Sequence, residues 1–162
     1  MMITNKWHFT YGGQSKEQLL LALSAQKISC NAYTSLLFMS DRFCASETIE
    51  QVDIVEVSVQ SLGFESGALF ADVIKAAAKQ GLSLCSLELA AYLRLHYTQQ
   101  IVGTQITVAT ERAYSDINYP NGFYLSARAD ALELRGYRAS DDWIWPATSL
   151  FAFVANDIQS GC

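Results

Sequence analysis

Proline is almost absent: Pro120 and Pro146 are the only two in 162 residues. No stretch is rich in proline, glycine or serine, and none repeats. No segment therefore reads as a linker, and residues 1–162 are expected to form one domain. Charge is sparse too. Asp, Glu, Lys and Arg make up 17% of the chain against 51% hydrophobic residues, and mean hydropathy is +0.13. That balance excludes a disordered chain. Yet no apolar run approaches ~20 residues, which excludes a membrane-spanning helix.

Positive charge is in deficit, with 11 Lys and Arg against 16 Asp and Glu and a net charge of −5. The bases are scattered, the densest group being Arg128, Arg135 and Arg138. A duplex-binding surface gathers cations to neutralise phosphates, so this distribution argues against nucleic acid as a partner. The four cysteines, Cys30, Cys44, Cys85 and Cys162, have no pair at zinc-knuckle spacing. Neither a metal nor another cofactor is expected. The opening Met1-Met2-Ile3-Thr4-Asn5-Lys6-Trp7-His8 lacks an apolar h-region, so the expected setting is cytoplasmic, with thiols reduced. Cys30, Cys44 and Cys85 are then expected as small buried hydrophobes.

Three catalytic signatures are missing. There is no Gly-x-Ser-x-Gly nucleophile elbow and no Rossmann glycine fingerprint. The nearest approach to a phosphate-cradling loop, Gly12-Gly13-Gln14-Ser15-Lys16, has the wrong order and spacing. These absences weaken an enzymatic reading without closing it, because acid/base sites leave no short motif.

What is present is periodicity. Trp7, Phe9 and Tyr11 alternate with His8 and Thr10, predicting a strand over 2–11 that Gly12-Gly13 ends. Ser15-Lys16-Glu17-Gln18 is a capping-box pattern before Leu19, Leu20 and Leu23, predicting a helix over 16–26. Asn31 can cap a second short helix burying Tyr33, Leu36, Leu37 and Met39, so the two helices read as a hairpin. Val52 to Val59 predicts a strand. A turn-rich 61–67 leads into a helix over 68–79, with Gly81 placed for the left-handed residue after it. Ser86 caps a helix over 87–97. From 104 onward the period changes to two, with strands around Ile106 and Val108, Phe123 to Ala127, and Leu132 and Leu134. The last, Leu150 to Ala155, is apolar on both faces and so central. The fold class is α+β: N-terminal and central helices packed on a mostly antiparallel C-terminal sheet.

Candidate chemistry is thin. Glu88, Tyr92 and His96 stand at i, i+4 and i+8, and Arg94 and Tyr97 share the adjacent stripe. A carboxylate, a guanidinium, an imidazole and a phenol on one helix suit a polar-ligand cleft, so Glu88, Arg94, His96 and Tyr97 are candidate ligand-binding residues. The plainer reading has Glu88 serving the helix N-terminus, Arg94 pinning the helix to carbonyls and the tyrosines packing. Trp143-Ile144-Trp145-Pro146, after Asp141-Asp142, is the densest aromatic spot. Trp143 and Trp145 are candidate partner-binding residues or a stacking shelf. Alternatively they anchor the last strand. His8 and His96 lack ligand spacing, and Cys85, between Leu84 and Ser86-Leu87, reads as buried rather than nucleophilic.

One resemblance covers 61–103. Leu62-Gly63-Phe64-Glu65-Ser66-Gly67-Ala68, Gly81-Leu82-Ser83-Leu84-Cys85, Glu88, Leu93-Arg94-Leu95-His96-Tyr97, Gln99 and Gly103 resemble a family of small uncharacterised bacterial proteins, some labelled helicases. The family carries prolines near Ser86, Ala91 and Ile101 that this chain lacks. The resemblance implies no activity, and the helicase label fails here because no phosphate loop exists. The expectation is a non-catalytic ligand- or protein-binding domain, its partner a protein or small molecule. The alternatives are a small enzyme with acid/base residues on the 87–97 helix, and a structural homo-oligomer such as a homodimer.

Overall fold

A computed structural model of the chain describes residues 1–156, so Cys162 lies outside the described residues. In chain order the elements are β1 (Ile3–Tyr11), α1 (Lys16–Ala25), β2 (Ser29–Cys30), α2 (Ala32–Met39), β3 (Glu50–Ser58), a 3₁₀ turn (Gln60–Leu62), β4 (Ala68–Leu69) and α3 (Phe70–Lys79). They continue with β5 (Leu82–Ser83), α4 (Leu87–His96), β6 (Gln105–Val108), β7 (Gly122–Ala127), β8 (Leu132–Tyr137), β9 (Ile144–Trp145) and β10 (Leu150–Ala155). The class is α+β. One sheet runs β1-β3-β10-β6-β7-β8-β2, with β5 also on β10, and β4 and β9 form a separate ribbon. Pairing is antiparallel except for β10 with β6 and β2 with β8.

The sheet takes strands from both ends of the chain, and β10 lies inside it, between β3 and β6. Its two-faced apolar character follows from that position. One face carries Phe9, Ile54, Ala152, Ile106, Val108, Phe123, Leu125 and Leu134 against α1, α2 and α4. Each fully buried Leu or Phe there contributes roughly 1.5–3 kcal/mol of transfer free energy. The opposite face carries Val55, Val57, Phe151 and Phe153, covered by α3 and the 3₁₀ turn. Three helices lie on one side and a single helix on part of the other.

Local chemistry sets the helix starts. The Ser15 hydroxyl accepts from the Gln18 N–H at 3.1 Å, and the Gln18 side chain accepts from the Ser15 N–H at 2.9 Å, closing the expected capping box. Asn31 caps α2 and also bridges to β8: its Nδ2 donates to the Gly136 carbonyl and its Oδ1 accepts from the Gly136 N–H, both at 3.0 Å. The side-chain amide continues, past the two residues of β2, the hydrogen bonding of this sheet edge.

Four local expectations need correction. Ser29-Cys30 is a strand on β8, so the first two helices are joined through the sheet rather than by a bare hairpin turn. Ala68-Leu69 pairs with Ile144-Trp145, so α3 begins at Phe70. In α2 the buried set is Thr34, Leu37 and Phe38, while Met39 is 81% exposed. The helix is rotated from its expected setting because Thr34 donates to the Leu134 carbonyl at 2.8 Å. Cys30 and Cys44 are exposed, one on a two-residue edge strand and the other in a loop; of the cysteines among the described residues, only Cys85 is buried.

α2 crosses β8 closely enough that a Cβ at Gly136 would meet the Tyr33 Cβ at 2.5 Å and a Leu37 methyl at 3.1 Å. Gly136→Ala is expected to cost about 1–3 kcal/mol by overpacking this crossing. Urea denaturation checks it, as a lowered midpoint with an unchanged slope.

Candidate functional site

α4 is buried all round from Leu87 to Arg94. That surrounding fixes what its polar residues do. Glu88 is 2% exposed, and its carboxylate accepts from the Ser46 N–H at 2.8 Å and the Ser46 hydroxyl at 2.6 Å. It ties the loop before β3 to the start of the helix. Arg94 lies about 9 Å further along the axis. It is fully buried, and it donates to Gln100 Oε1 at 2.7 Å, to the Glu133 carbonyl at 3.1 Å, to the Ser126 carbonyl at 3.3 Å and to the Tyr97 carbonyl. Burial pushes the guanidinium down to about 10, so it stays charged at neutral pH. Its acceptors are neutral oxygens, and no carboxylate meets it.

The other two helix candidates sit apart from these. His96 is exposed at its edge and stacked flat on Phe9, with ring centroids 4.4 Å apart; partial burial holds it below the usual histidine range. Tyr97 packs on Trp7 at 4.8 Å. The structure thus commits Glu88 and Arg94 to internal hydrogen bonds and does not bring the four side chains together. Cys85 is sealed, and burial pushes its thiol up to about 12, so it remains protonated at neutral pH. His8 Nδ1 meets Asp53 Oδ1 at 2.6 Å on the surface. Among the described residues no group of three or more His, Cys, Asp or Glu gathers in metal-binding range.

Trp145 and Trp143 do different things. Trp145 stacks edge-on against Phe151 at 4.9 Å and against Tyr137 at 5.6 Å, while Trp143 is 51% exposed. The ribbon of β4 and β9 holds Trp145 in place. Gly67 is essential to that approach: its φ is +90°, and a Cβ there would lie 2.5 Å from the Trp145 carbonyl oxygen.

These tryptophans border the part of the sheet on which α3 does not lie. Register places Thr107, Tyr124 and Arg135 in one row across β6, β7 and β8, and Gln105, Ser126 and Glu133 in the next. Phe123, Leu125 and Leu134 face the helices, so strand alternation turns both rows outward. A depression of about 470 Å³ is lined there by Gln105, Thr107, Tyr124, Tyr137, Arg138, Ala139, Ser140, Trp143 and Trp145. That volume is in the range of small-molecule sites. Its rim is built. Asn121 holds residue 139 by two hydrogen bonds of 3.1 Å, and Arg112 donates to the same carbonyl at 3.0 Å.

A second hollow of about 360 Å³ lies at the start of α4. Asp41 and Glu111 there offset Arg42 and Arg112, and Arg112 is already engaged with residue 139. The sheet-face depression is the better candidate because Trp143 is exposed there and the Gln105 and Thr107 side chains make no hydrogen bond within the described residues, whereas the charged groups of the second hollow offset one another.

The sequence singled out Trp143 and Trp145, as candidate partner-binding residues, and not Gln105, Thr107, Tyr124 and Tyr137. A signal existed in the alternation of Tyr124 and Ser126 against Phe123 and Leu125. It lacked any indication of which face the helices would cover.

Arg94→Met should leave four oxygen acceptors short of a donor and lower stability by about 3 kcal/mol. Calorimetry is expected to show this as a Tm lowered by roughly 6–12 °C for a chain of this size. No family model, curated protein or solved structure matches this chain.

Proposed function

We propose that this protein is a non-catalytic ligand-binding domain whose site is the aromatic depression on β6, β7 and β8. One observation carries the reading: an uncovered sheet face presents Tyr124, Tyr137, Trp143 and Trp145 around Gln105 and Thr107. Aromatic faces supply apolar contact to a ring, and the neighbouring amide and hydroxyl can satisfy polar groups on its edge. The ligand class is a small molecule with a flat or saccharide ring. A cytoplasmic setting suits the exposed thiols of Cys30 and Cys44. The enzyme alternative on the 87–97 helix has less support, since Glu88 and Arg94 are spent on Ser46 and on carbonyls.

A second reading, a protein partner or second copy on the same rim, draws on Trp143 and Ile144, each 51% exposed. Adjacent exposed apolar side chains of this size are the material of an interface core.

The three indole N–H resonances separate these ideas. Titration with indole, adenosine or N-acetylglucosamine is expected to move the signals of Trp143 and Trp145 and leave Trp7, packed on Tyr97 beneath the other face, unmoved. Trp143→Ala should weaken the responding compound about tenfold. If no ring compound moves either signal, the ligand reading is wrong. A dimer in light scattering that Trp143→Ala reduces to a monomer would establish the second reading in its place.

A further inference from the structure

The aromatic depression does not end at Tyr124. Gln105 and Tyr124 also line a neighbouring hollow of about 370 Å³ that opens toward Arg128 and Arg135, so the two form one groove across the sheet. A carboxylate lies beneath its far end. Glu133 is 5% exposed; its Oε1 accepts from the Ser126 hydroxyl at 3.0 Å, and its Oε2 meets Arg135 Nη1 at 3.2 Å and Arg128 Nε at 3.4 Å. Arg135 Nε donates to the Tyr124 hydroxyl at 3.0 Å.

One buried acid therefore holds the Arg135 guanidinium by a hydrogen bond and draws that of Arg128 beside it by charge. Arg135 Nη2 and both Nη groups of Arg128 have no protein hydrogen-bond acceptor among the described residues. The local charge is two arginines against Glu133 and the exposed Asp130, whose carboxylate is 3.9 Å from Arg128. Asp130 projects into solvent with its side chain 83% exposed, where screening weakens it. Glu133 is engaged on both oxygens. The unused N–H groups are planar forks suited to a two-oxygen anion.

Resting on the ring-binding reading above, we propose that the groove takes a small molecule combining a planar ring with a phosphate or carboxylate. The ring lies at the Trp143 end and the anion at Arg128 and Arg135. A mononucleotide and a carboxylated heterocycle share that chemistry.

The test uses matched pairs on the full chain, by calorimetric titration and by the indole signals. The pairs are adenosine 5′-monophosphate with adenosine, and indole-3-acetate with indole. Inorganic phosphate and a single-stranded octanucleotide complete the set. In at least one pair the anionic member is expected to bind tenfold or more tighter than its neutral partner, with an advantage that shrinks as salt rises. Arg128→Gln should abolish that advantage and leave the neutral member's affinity unchanged, and Arg135→Gln should abolish the advantage as well. Arg128 is the more exposed of the two, so its replacement keeps the test valid if Arg135→Gln unfolds the chain.

Neutral members binding as well as anionic ones would overturn this inference while leaving the ring site standing. Failure of every ring compound, neutral or charged, would remove both. Phosphate alone binding as tightly as the mononucleotide would show an anion site without a ring. An octanucleotide binding much tighter than the mononucleotide would make the ligand a polymer and overturn the small-molecule claim.

Discussion

A single charged guanidinium, shut away from water, holds this molecule in register. Arg94 comes from a helix with no exposed face over most of its length, and it reaches carbonyls on two neighbouring strands and on the chain that leaves the helix. Burying such a charge without a carboxylate is costly, and four oxygen acceptors on its two Nη groups offset that cost while Nε stays buried without a partner. The acceptors are supplied by backbone and by Gln100, so the position of α4 on the sheet is over-determined. Glu88 does the same at the other end of the helix through Ser46. The two ionisable residues that looked most like chemistry in the sequence act as bolts.

With α4 fixed, α1 and α2 complete one layer over the sheet, and the remaining helix, α3, covers only the part of the reverse face built from β3 and β10. The rest of that face has no helix over it. Its side chains are polar or amphipathic: Gln105, Thr107, Tyr124, Ser126, Glu133 and Arg135, of which Thr107, Ser126 and Glu133 are buried among their neighbours. The ribbon of β4 and β9 then folds back and sets Trp145 at the boundary between the covered and open halves. Concavity arises because one side of this region is walled by packed aromatics and the other is open sheet.

Local devices were readable in advance. Ser15 with Gln18 and Asn31 before α2 are capping patterns that depend on neighbours three residues away, and both form. β10 has the expected bounds and the expected central place, because apolarity on both faces has one economical solution. Expectations failed where a distant partner decided. Ser29-Cys30 became a strand because β8 offered an edge, and Ala68-Leu69 left the helix for Trp145. α2 is rotated because Thr34 bonds a carbonyl a hundred residues away in sequence.

The chain's own order of residues determined the α+β class, most element positions and the division of β7 into two faces, since these rest on periodicity and on contacts within a few residues. Tertiary structure alone decided that Glu88 and Arg94 would be enclosed and that Gln105, Thr107, Tyr124 and Tyr137 would share a hollow with two tryptophans. The physical reason is that alternation divides a strand into two faces without saying which face a helix will cover. That choice depends on the sum of packing across the sheet, and it separates a structural side chain from one free to meet a ligand.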